Sequence, residues 1–398
     1  MIYRTNPKNG EKLSQLGLGC MRFPRNGKNI NQLKTNELVS HAVELGVNYY
    51  DTAYIYPGSE ESLGNALKTL GKRNEVHIAT KLPPFMCKSG GDFDRIFNKQ
   101  LERLHTDYID YYMLHMLGCL ADWERMRNFG AEEWLAEKLR SGQIRNVGFS
   151  FHGGRAEFKR LIDAFDWGFC MVQYNYFDEN NQAGKDGVQY ASSKGLPVFV
   201  MEPLRGGMLV DELPKGTVQA FANADKNRSL AEWGLAWLFD QPELTMILSG
   251  MGDMQMLEEN TALASALSSG CISKTEREAY TKALAAIRAT VRIPCTCCNY
   301  CMPCPFGVDI PTCFASYNTS YIQGLSTGIY KYFQTAGGIQ QNQSFASQCK
   351  RCGKCELLCP QAIDIADQLG EVSRRLEGFW LRPIGALARR VMLGKRRP

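Results

Sequence analysis

The first 250 residues alternate between short apolar runs and longer segments with helical periodicity. Eight runs rich in apolar and β-branched residues predict strands at 16–19, 47–50, 76–80, 109–114, 147–150, 171–174, 198–201 and 246–249. The segments between them predict helices at 35–45, 61–70, 93–104, 131–141, 155–165, 187–194 and 229–240. Eight strand–helix units in about 250 residues favour a closed parallel (β/α)8 TIM barrel over an open sheet. Residues 2–4 and 13–14 predict a hairpin that closes the barrel floor.

The C-terminal part of the chain is dominated by cysteine, with ten of the fifteen cysteines between Cys295 and Cys359. Eight of them form two regularly spaced runs: Cys295, Cys298, Cys301 and Cys304, then Cys349, Cys352, Cys355 and Cys359. The second run matches the pattern C-x2-C-x2-C-x3-C-P of ferredoxins that hold two [4Fe–4S] clusters. The first run has one residue fewer before its last cysteine and an additional Cys297. A disulfide framework and structural zinc are the alternatives.

The ferredoxin pattern also predicts which cysteines share a cluster. In such proteins the fourth cysteine of each run binds the cluster of the other run. One predicted ligand set is therefore Cys295, Cys298, Cys301 and Cys359, and the second is Cys349, Cys352, Cys355 and Cys304. Cys297 and Cys313 are predicted to be bystanders.

These patterns divide the chain into four parts. We predict a barrel over residues 1–270, a helical linker over 271–293, a smaller and mainly helical ferredoxin-like domain over 294–370, and a basic amphipathic tail over 371–398. Helices are expected at 254–266 and 274–292, whereas glycines make residues 305–348 look rich in loops. No internal repeat is found. The tail either packs on its own protein or contacts a membrane surface or an acidic electron-transfer partner.

Composition limits where the protein works and what it binds. The chain begins without an apolar signal segment and has no run of about 18 apolar residues, which predicts a cytoplasmic protein without a transmembrane segment. The many cysteines then favour metal binding over disulfides. The net charge of +5 is modest, and no basic-aromatic module indicates nucleic-acid binding.

Four reactive residues lie at the ends of successive predicted strands: Asp51 and Tyr56 after the second, Lys81 after the third and His115 after the fourth. Barrel enzymes carry their catalytic residues there. A carbonyl reduced by hydride needs a proton on its oxygen, and a tyrosine hydroxyl with a pKa of about 10 can supply it when a nearby cation lowers that pKa. Lys81 is the predicted cation, Asp51 keeps it charged, and His115 polarises the carbonyl. Taken singly, each residue also fits a surface ion pair or a structural hydrogen bond.

Several of these residues belong to recognisable motifs. Asp51-Thr52-Ala53-x-x-Tyr56, Thr80-Lys81 and Leu114-His115 resemble the catalytic tetrad of aldo/keto reductases. Other motifs of that family follow in the expected order: 16–22, 58–60, 172–175 and 202–207. The resemblance covers residues 1–290, and the added cysteines make the whole chain similar to the iron–sulfur branch of the family. It implies an oxidoreductase that acts on a small carbonyl or alcohol, with Tyr56 as the proton donor.

The resemblance also implies a nicotinamide site. Its carboxamide would be held by Ser150 and Gln173, the pyrophosphate would lie along Leu204 and Gly206, and the adenosine would lie near Gly250 and Asn260. Two residues depart from the family, because Phe151 replaces an asparagine and Met201 replaces a stacking aromatic residue. Ser249 and Met256 stand where a cation would bind the 2′-phosphate of NADP. NAD, NADP and no nicotinamide all stay open, and His152 is a further candidate to border the substrate.

Three functions remain open at this stage. In the first, the barrel performs nicotinamide-dependent carbonyl chemistry and the clusters are structural or regulatory. In the second, the clusters exchange single electrons with the substrate, and a ferredoxin is the candidate partner. In the third, the chain is an electron-transfer module with a scaffold barrel, which the complete tetrad disfavours. A flavin normally connects hydride with one-electron carriers, but no flavin fingerprint is found.

Overall fold

The computed structural model describes residues 1–153, 155–336 and 343–378. Their contacts define two compact units. The first contains Met1–Pro203 and Glu232–Ser273, and the second contains Leu204–Ala231 with the described residues from Lys274 onward. The division differs from the sequence-based one, because Leu204–Ala231 groups with the C-terminal part of the chain.

Strands occur only in the first unit among the described residues. They are β1 (Tyr3–Thr5), β2 (Lys12–Ser14), β3 (Leu16–Gly19), β4 (Arg25–Asn26), β5 (Asn29–Ile30), β6 (Tyr49–Asp51), β7 (His77–Leu82), β8 (Ile109–Leu117), β9 (Ile144–Phe151), β10 (Phe169–Gln173), β11 (Val198–Met201) and β12 (Leu244–Ser249). Eight of these strands, β3 and β6 to β12, are parallel and close into a barrel, in which β12 pairs with β3. The predicted (β/α)8 barrel is confirmed.

The barrel interior is filled with aromatic side chains, so it is a packed core. Tyr49, Tyr111, Phe169 and Phe199 are fully buried there, and the ring centroids of Tyr111 and Phe169 are 5.1 Å apart. The predicted hairpin is confirmed as the antiparallel pair β1–β2. Its Leu13 packs into the same aromatic cluster, so the hairpin closes the barrel at this end.

Most predicted helices are present. The observed helices are α1 (Gln32–Glu44), α2 (Ser59–Leu70), α3 (Gly91–Leu104), α4 (Leu120–Asn128), α5 (Ala131–Arg140), α6 (Arg155–Asp163), α7 (Gly184–Ser193), α8 (Met208–Asp211), α9 (Lys215–Ala224), α10 (Leu230–Phe239), α11 (Met254–Ala266), α12 (Lys274–Thr290), α13 (Ile310–Ile322), α14 (Leu325–Thr335) and α15 (Ile365–Leu376). Helices α4, α8 and α9 in the sequence before the cysteine runs were not predicted, nor were α13 and α14 between them.

The prediction of a loop-rich segment over residues 305–348 is wrong, because α13 and α14 occupy much of it. Gly328 is the physical reason. A Cβ atom there would lie 2.4 Å from the Cβ of Ser320, so this glycine lets two helices touch and does not interrupt one. Gly324 precedes α14 with φ of 103°, a conformation that favours glycine. Residues 337–338 lie outside the described ranges.

In the second unit, α9 packs against α12. The rings of Phe221 and Tyr280 are 5.4 Å apart, and Thr217 donates a hydrogen bond to the carbonyl of Ala283. Helix α15 contains the first residues of the predicted tail, and Arg375 donates to Ser320 Oγ at 2.7 Å. This part of the tail packs on its own protein, while residues 379–398 lie outside the described residues.

No helix in the described part of the chain combines the length and the apolar character needed to span a bilayer.

Gly64 provides a test of how α2 meets α3. A Cβ atom on Gly64 would lie 2.4 Å from the carbonyl oxygen of Arg103 and 2.7 Å from Cα of Leu104. Gly64→Ala is therefore expected to force the two helices apart and to lower stability by about 1–3 kcal/mol. Gly370 in α15 has open space around its Cα, so Gly370→Ala should leave stability unchanged or raise it by up to about 1 kcal/mol. Thermal unfolding of both variants checks this, and equal melting temperatures would contradict the close approach.

Candidate active site and cysteine sites

The structure brings the four predicted barrel residues together. Nζ of Lys81 donates to Asp51 Oδ1 at 2.5 Å and to the carbonyl of Thr52 at 2.7 Å. The same Nζ lies 5.1 Å from the centre of the Tyr56 ring. The Tyr56 and His115 rings meet edge to face, with centroids 5.9 Å apart. A phenol, an ammonium and an imidazole therefore border one site at the C-terminal ends of β6, β7 and β8.

Burial determines the charges at this site. Lys81 and His115 are 1% and 2% exposed. Burial raises the pKa of Asp51, and the nearby Lys81 ammonium opposes that shift. Burial, with the positive charge of Lys81 and the neighbouring His152, holds the pKa of His115 well below its usual value. His115 is thus a neutral imidazole beside a cation.

A buried network supports the strand that carries Lys81. The carboxylate of Glu60 in α2 accepts hydrogen bonds from Thr80 at 2.6 Å, from Gln100 at 2.9 Å and from Arg103 at 3.0 Å. Gln100 also donates to the carbonyl of Lys81. The sequence analysis used Glu60 only as part of a motif and missed this role. Its position in the first turn of a helix directly after Gly58-Ser59 was the available signal.

Ser150 and Gln173, the predicted carboxamide ligands, lie on the adjacent strands β9 and β10. Ser150 Oγ accepts from the N–H of Met116 at 2.8 Å, so its hydroxyl can still donate. Gln173 donates to Asp178 Oδ2 at 2.8 Å and accepts from Gln182. Both ends of the Gln173 amide are therefore engaged by the protein itself.

His152, the candidate substrate neighbour, belongs to the same network. Its Nδ1 lies 3.1 Å from Gln182 Oε1. Burial lowers the pKa of His152 to about 4, although the hydrogen bond that its Nδ1–H donates to Gln182 Oε1 opposes that shift. A neutral His152 is thus connected through Gln182 to Gln173. Phe151 points into the core, where its ring lies 4.9 Å from that of Phe158.

The predicted adenosine-side residues lie at the end of β12 and in α11. Asn260 donates to Ser249 Oγ at 3.3 Å. A Cβ atom on Gly250 would lie 2.9 Å from Cδ of Arg22, so the Arg22 side chain lies across this loop. The sequence analysis looked for a cation at Ser249 and Met256 and missed Arg22, which is remote in sequence.

Leu204 and Gly206, the predicted pyrophosphate residues, belong to the second unit. Leu204 precedes a left-handed turn, in which φ is 52° at Arg205 and 69° at Gly206. The Arg205 side chain is 1% exposed and donates to the carbonyl of Pro294 at 2.8 Å. Arg205 therefore connects the segment after β11 with the residue that precedes Cys295.

None of the fifteen cysteines, all of which lie within the described ranges, forms a disulfide. Within residues 1–153, 155–336 and 343–378, no group of three or more His, Cys, Asp or Glu side chains is arranged to hold a metal ion. The thiols of Cys295, Cys298, Cys301 and Cys359 instead line one pocket, together with apolar side chains that include Ile310 and Phe314. Cys297 is absent from this lining.

The electrostatic neighbours of two of the cysteine thiols come from both cysteine runs. Burial raises the pKa of the Cys301 thiol to about 12, and the nearby Cys298, Cys359 and Cys355 add to the shift. Burial also raises the pKa of Cys355, whose neighbours include Cys349 and Cys304. The last cysteine of each run thus lies near thiols of the other run.

The two cysteine runs share one backbone conformation. The N–H of Cys297 donates to Cys295 Sγ at 3.4 Å, and the N–H of Arg351 donates to Cys349 Sγ at 3.3 Å. The second and fourth residues after these first cysteines all have positive φ: Cys297 56°, Asn299 66°, Arg351 55° and Gly353 72°.

The turns that follow the last cysteine of each run have the same hydrogen bond. The N–H of Gly307 bonds the carbonyl of Cys304, and the N–H of Ala362 bonds that of Cys359. Each turn leads into a helix, α13 or α15, three residues further on. The conclusion that the chain has no internal repeat is therefore wrong. This repeat is hard to recognise in the sequence, because the cysteine spacing of the two runs differs by one residue and a long segment separates them.

Comparisons with known proteins agree with the barrel. The model of the aldo/keto reductase family matches residues 15–274. The chain is 27% identical over 285 residues to L-galactose dehydrogenase of Arabidopsis thaliana, with 65% of this chain and 87% of that protein covered. An aldo-keto reductase from Bacillus halodurans in its holo form is similar in structure, with a TM-score of 0.59, 24% identity, and 71% and 96% of the two chains covered.

A Klebsiella pneumoniae aldo/keto reductase in complex with NADP and acetate has a TM-score of 0.56 and 22% identity, with 71% of this chain and 96% of that chain covered. At this identity, the likeness describes the fold. The family match spans well over half of the 398 residues and includes Asp51, Tyr56, Lys81 and His115. The chain belongs to the aldo/keto reductase family and is an oxidoreductase of that type.

Proposed function

We propose that the chain interconverts a small carbonyl compound and its alcohol with a nicotinamide cofactor, and that its second unit holds two [4Fe–4S] clusters. The observation that carries the catalytic proposal is the position of Lys81, held by Asp51 at 2.5 Å and placed beside the Tyr56 ring. A buried ammonium in this position stabilises the phenolate that forms when the neighbouring phenol gives up its proton.

Each residue then has a role in reduction. Tyr56 donates the proton to the carbonyl oxygen, and the Lys81 ammonium stabilises the phenolate that remains. Asp51 keeps Lys81 charged in spite of its burial. Neutral His115 orients the carbonyl oxygen by a hydrogen bond and adds no competing positive charge. When bound, nicotinamide supplies the hydride, which carries two electrons.

The cofactor preference is part of the proposal. Arg22 lies across Gly250 and supplies a cation for a phosphate group of the dinucleotide. The Klebsiella pneumoniae protein of similar fold binds NADP, which supports a nicotinamide cofactor here. Ser150 retains a hydroxyl proton for the carboxamide, whereas Gln173 is already bonded to Asp178 and Gln182.

The cysteine sites fit [4Fe–4S] clusters better than a single ion. Cys295, Cys298, Cys301 and Cys359 line a pocket with apolar walls, and N–H groups bond the sulfur atoms of Cys295 and Cys349. Hydrogen bonds to sulfur and apolar surroundings are what the protein contributes to such clusters. When bound, the clusters supply one-electron transfer.

The network around Gln173 favours a second candidate function. If the carboxamide is poorly held, electrons reach a substrate at Tyr56 from the cysteine sites and from an external ferredoxin. Tyr56 and Lys81 keep the same roles, since the reduced substrate needs protons whichever donor supplies the electrons.

Anaerobic purification with iron and sulfide analysis, followed by NADH and NADPH titration, separates the two functions. We expect NADH or NADPH to be oxidised in the presence of benzaldehyde as the probe carbonyl. Arg22→Gln should raise the KM for the preferred nicotinamide and leave the iron content unchanged. If neither nicotinamide is consumed while the dithionite-reduced protein reduces the aldehyde, the second candidate is correct. If neither condition gives turnover, the proposed carbonyl chemistry is wrong.

A further inference from the structure

The second cysteine run has an exposed surface. Leu357 is 89% exposed and Leu358 is 47% exposed, although both lie between the predicted ligands Cys355 and Cys359. Cys352 is exposed as well, whereas the other seven predicted ligands are partly buried. A single exposed leucine is common on protein surfaces. Two exposed leucines beside an exposed predicted ligand form an apolar surface at the point where an electron would enter a cluster.

The same surface is positively charged. Lys350, Arg351 and Lys354 are all exposed within five residues of sequence. Arg351 forms an ion pair with Asp367, whereas Lys350 and Lys354 have no ion-pair partner among the described residues. The one acidic residue of this stretch, Glu356, accepts a hydrogen bond from the N–H of Ala366 and is only partly exposed.

The first run differs in charge and has one exposed apolar side chain, Phe306, at 42% exposure. Residues 295–308 contain no charged residue, and Cys295, Cys298 and Cys301 line a pocket with apolar walls. The two runs share a backbone conformation, so the fold does not require the lysines or the exposed leucines of the second run. Their presence there calls for a role specific to the second site.

We propose that residues 350–358 form a docking face for an acidic one-electron carrier protein of the ferredoxin or flavodoxin type. This inference rests on the proposed clusters. Lys350 and Lys354 attract the acidic surface of the carrier, and Leu357 provides the apolar centre of a small, transient interface. Among the second ligand set, Cys352 is the ligand nearest solvent, so it marks the point of exchange.

The exchange is a single-electron transfer. One electron leaves the reduced carrier, which becomes oxidised, and the cluster bound at the second cysteine site is reduced by that electron. No bond is made or broken and no proton is required.

Stopped-flow reduction of the anaerobically purified full chain tests the docking face. The probe is a chemically reduced acidic [2Fe–2S] ferredoxin, and the double variant Lys350→Glu/Lys354→Glu is compared with the parent. At low ionic strength we expect the second-order rate constant to fall at least about tenfold, and its dependence on salt to weaken. Leu357→Gln should also slow the reaction.

Two matched controls isolate the surface. Lys34→Glu/Lys68→Glu reverses two exposed charges on α1 and α2 of the first unit, and Leu33→Gln replaces a leucine that is 76% exposed there. Both should react with ferredoxin like the parent. The methyl viologen radical cation, which needs no docking face, should reduce all variants at least as fast as it reduces the parent.

The outcomes are separable. Unchanged ferredoxin kinetics in Lys350→Glu/Lys354→Glu would overturn the docking face, as would a parent that methyl viologen reduces and ferredoxin does not. Lost binding to phosphatidylserine vesicles with unchanged ferredoxin kinetics would assign the surface to a membrane instead. Protein that lacks iron and sulfide would refute the clusters, and the docking face with them.

Discussion

Tyr56→Phe is expected to lower kcat for carbonyl reduction by about 10²–10⁴-fold, the usual contribution of a positioned proton donor. The substitution removes one oxygen and keeps the ring that faces His115 and Lys81. Binding of the nicotinamide and the iron content should therefore stay at the parent values. Steady-state kinetics with the probe aldehyde, combined with iron analysis of the same preparation, measure all three quantities.

Tyr54 is the matched control, because it is a second tyrosine that stands two residues before Tyr56. Its ring contacts the Arg103 guanidinium at 4.8 Å, a contact that phenylalanine preserves. Tyr54→Phe should keep kcat within about twofold of the parent, since it lacks the neighbouring ammonium that a proton donor needs. A Tyr56→Phe enzyme with full activity, or a Tyr54→Phe enzyme without it, would show that the proton comes from elsewhere.

With the two proposed [4Fe–4S] clusters, Cys298→Ser is expected to lower the iron content from about eight atoms per chain to about four. Cys298 lines the first cysteine pocket with Cys295, Cys301 and Cys359, and a serine hydroxyl is a poor substitute for a thiolate ligand. Cys297→Ser changes the adjacent residue, which is absent from that lining, and should keep all the iron. Iron and sulfide analysis of the anaerobic proteins, with electron paramagnetic resonance after dithionite reduction, checks both.

The predicted exchange of the fourth ligand between the two runs can be tested with variants of Cys359 and Cys304. Cys359→Ser should remove the same cluster as Cys298→Ser, so the two variants should give the same residual spectrum. Cys304→Ser should remove the other cluster and give a different spectrum. If Cys304→Ser and Cys298→Ser give the same spectrum, each run binds its own cluster, and the ligand assignment is wrong.

The sequence predicts the barrel well, because both faces of a parallel strand are buried and strands such as Val198–Met201 read as unbroken apolar runs. Asp51, Tyr56, Lys81 and His115 are also recognisable, since each lies at or just beyond the end of a barrel strand. These residues lie close together because the barrel closes, and the sequence around each of them does not indicate this.

Other features depend on contacts between segments remote in sequence. Gly328 looks like a loop residue, but it permits the contact of α13 with α14 at Ser320. Arg22 lies more than 200 residues from Gly250, so a search near Ser249 for a phosphate-binding cation could not find it. The bonds of Gln173 to Asp178 and Gln182 likewise form only when the loop after β10 has folded.

The assignment of Leu204–Ala231 to the second unit limits how this protein can be divided. The chain crosses between the units three times, after Pro203, Ala231 and Ser273. A fragment that ends near residue 273 would keep α9 and lose α12, leaving Phe221, now 1% exposed, without the ring of Tyr280. The barrel is therefore not a free-standing module to which a cysteine domain was joined at the end. Because the two units are interleaved along the chain, no single truncation separates the barrel from the cysteine-rich part.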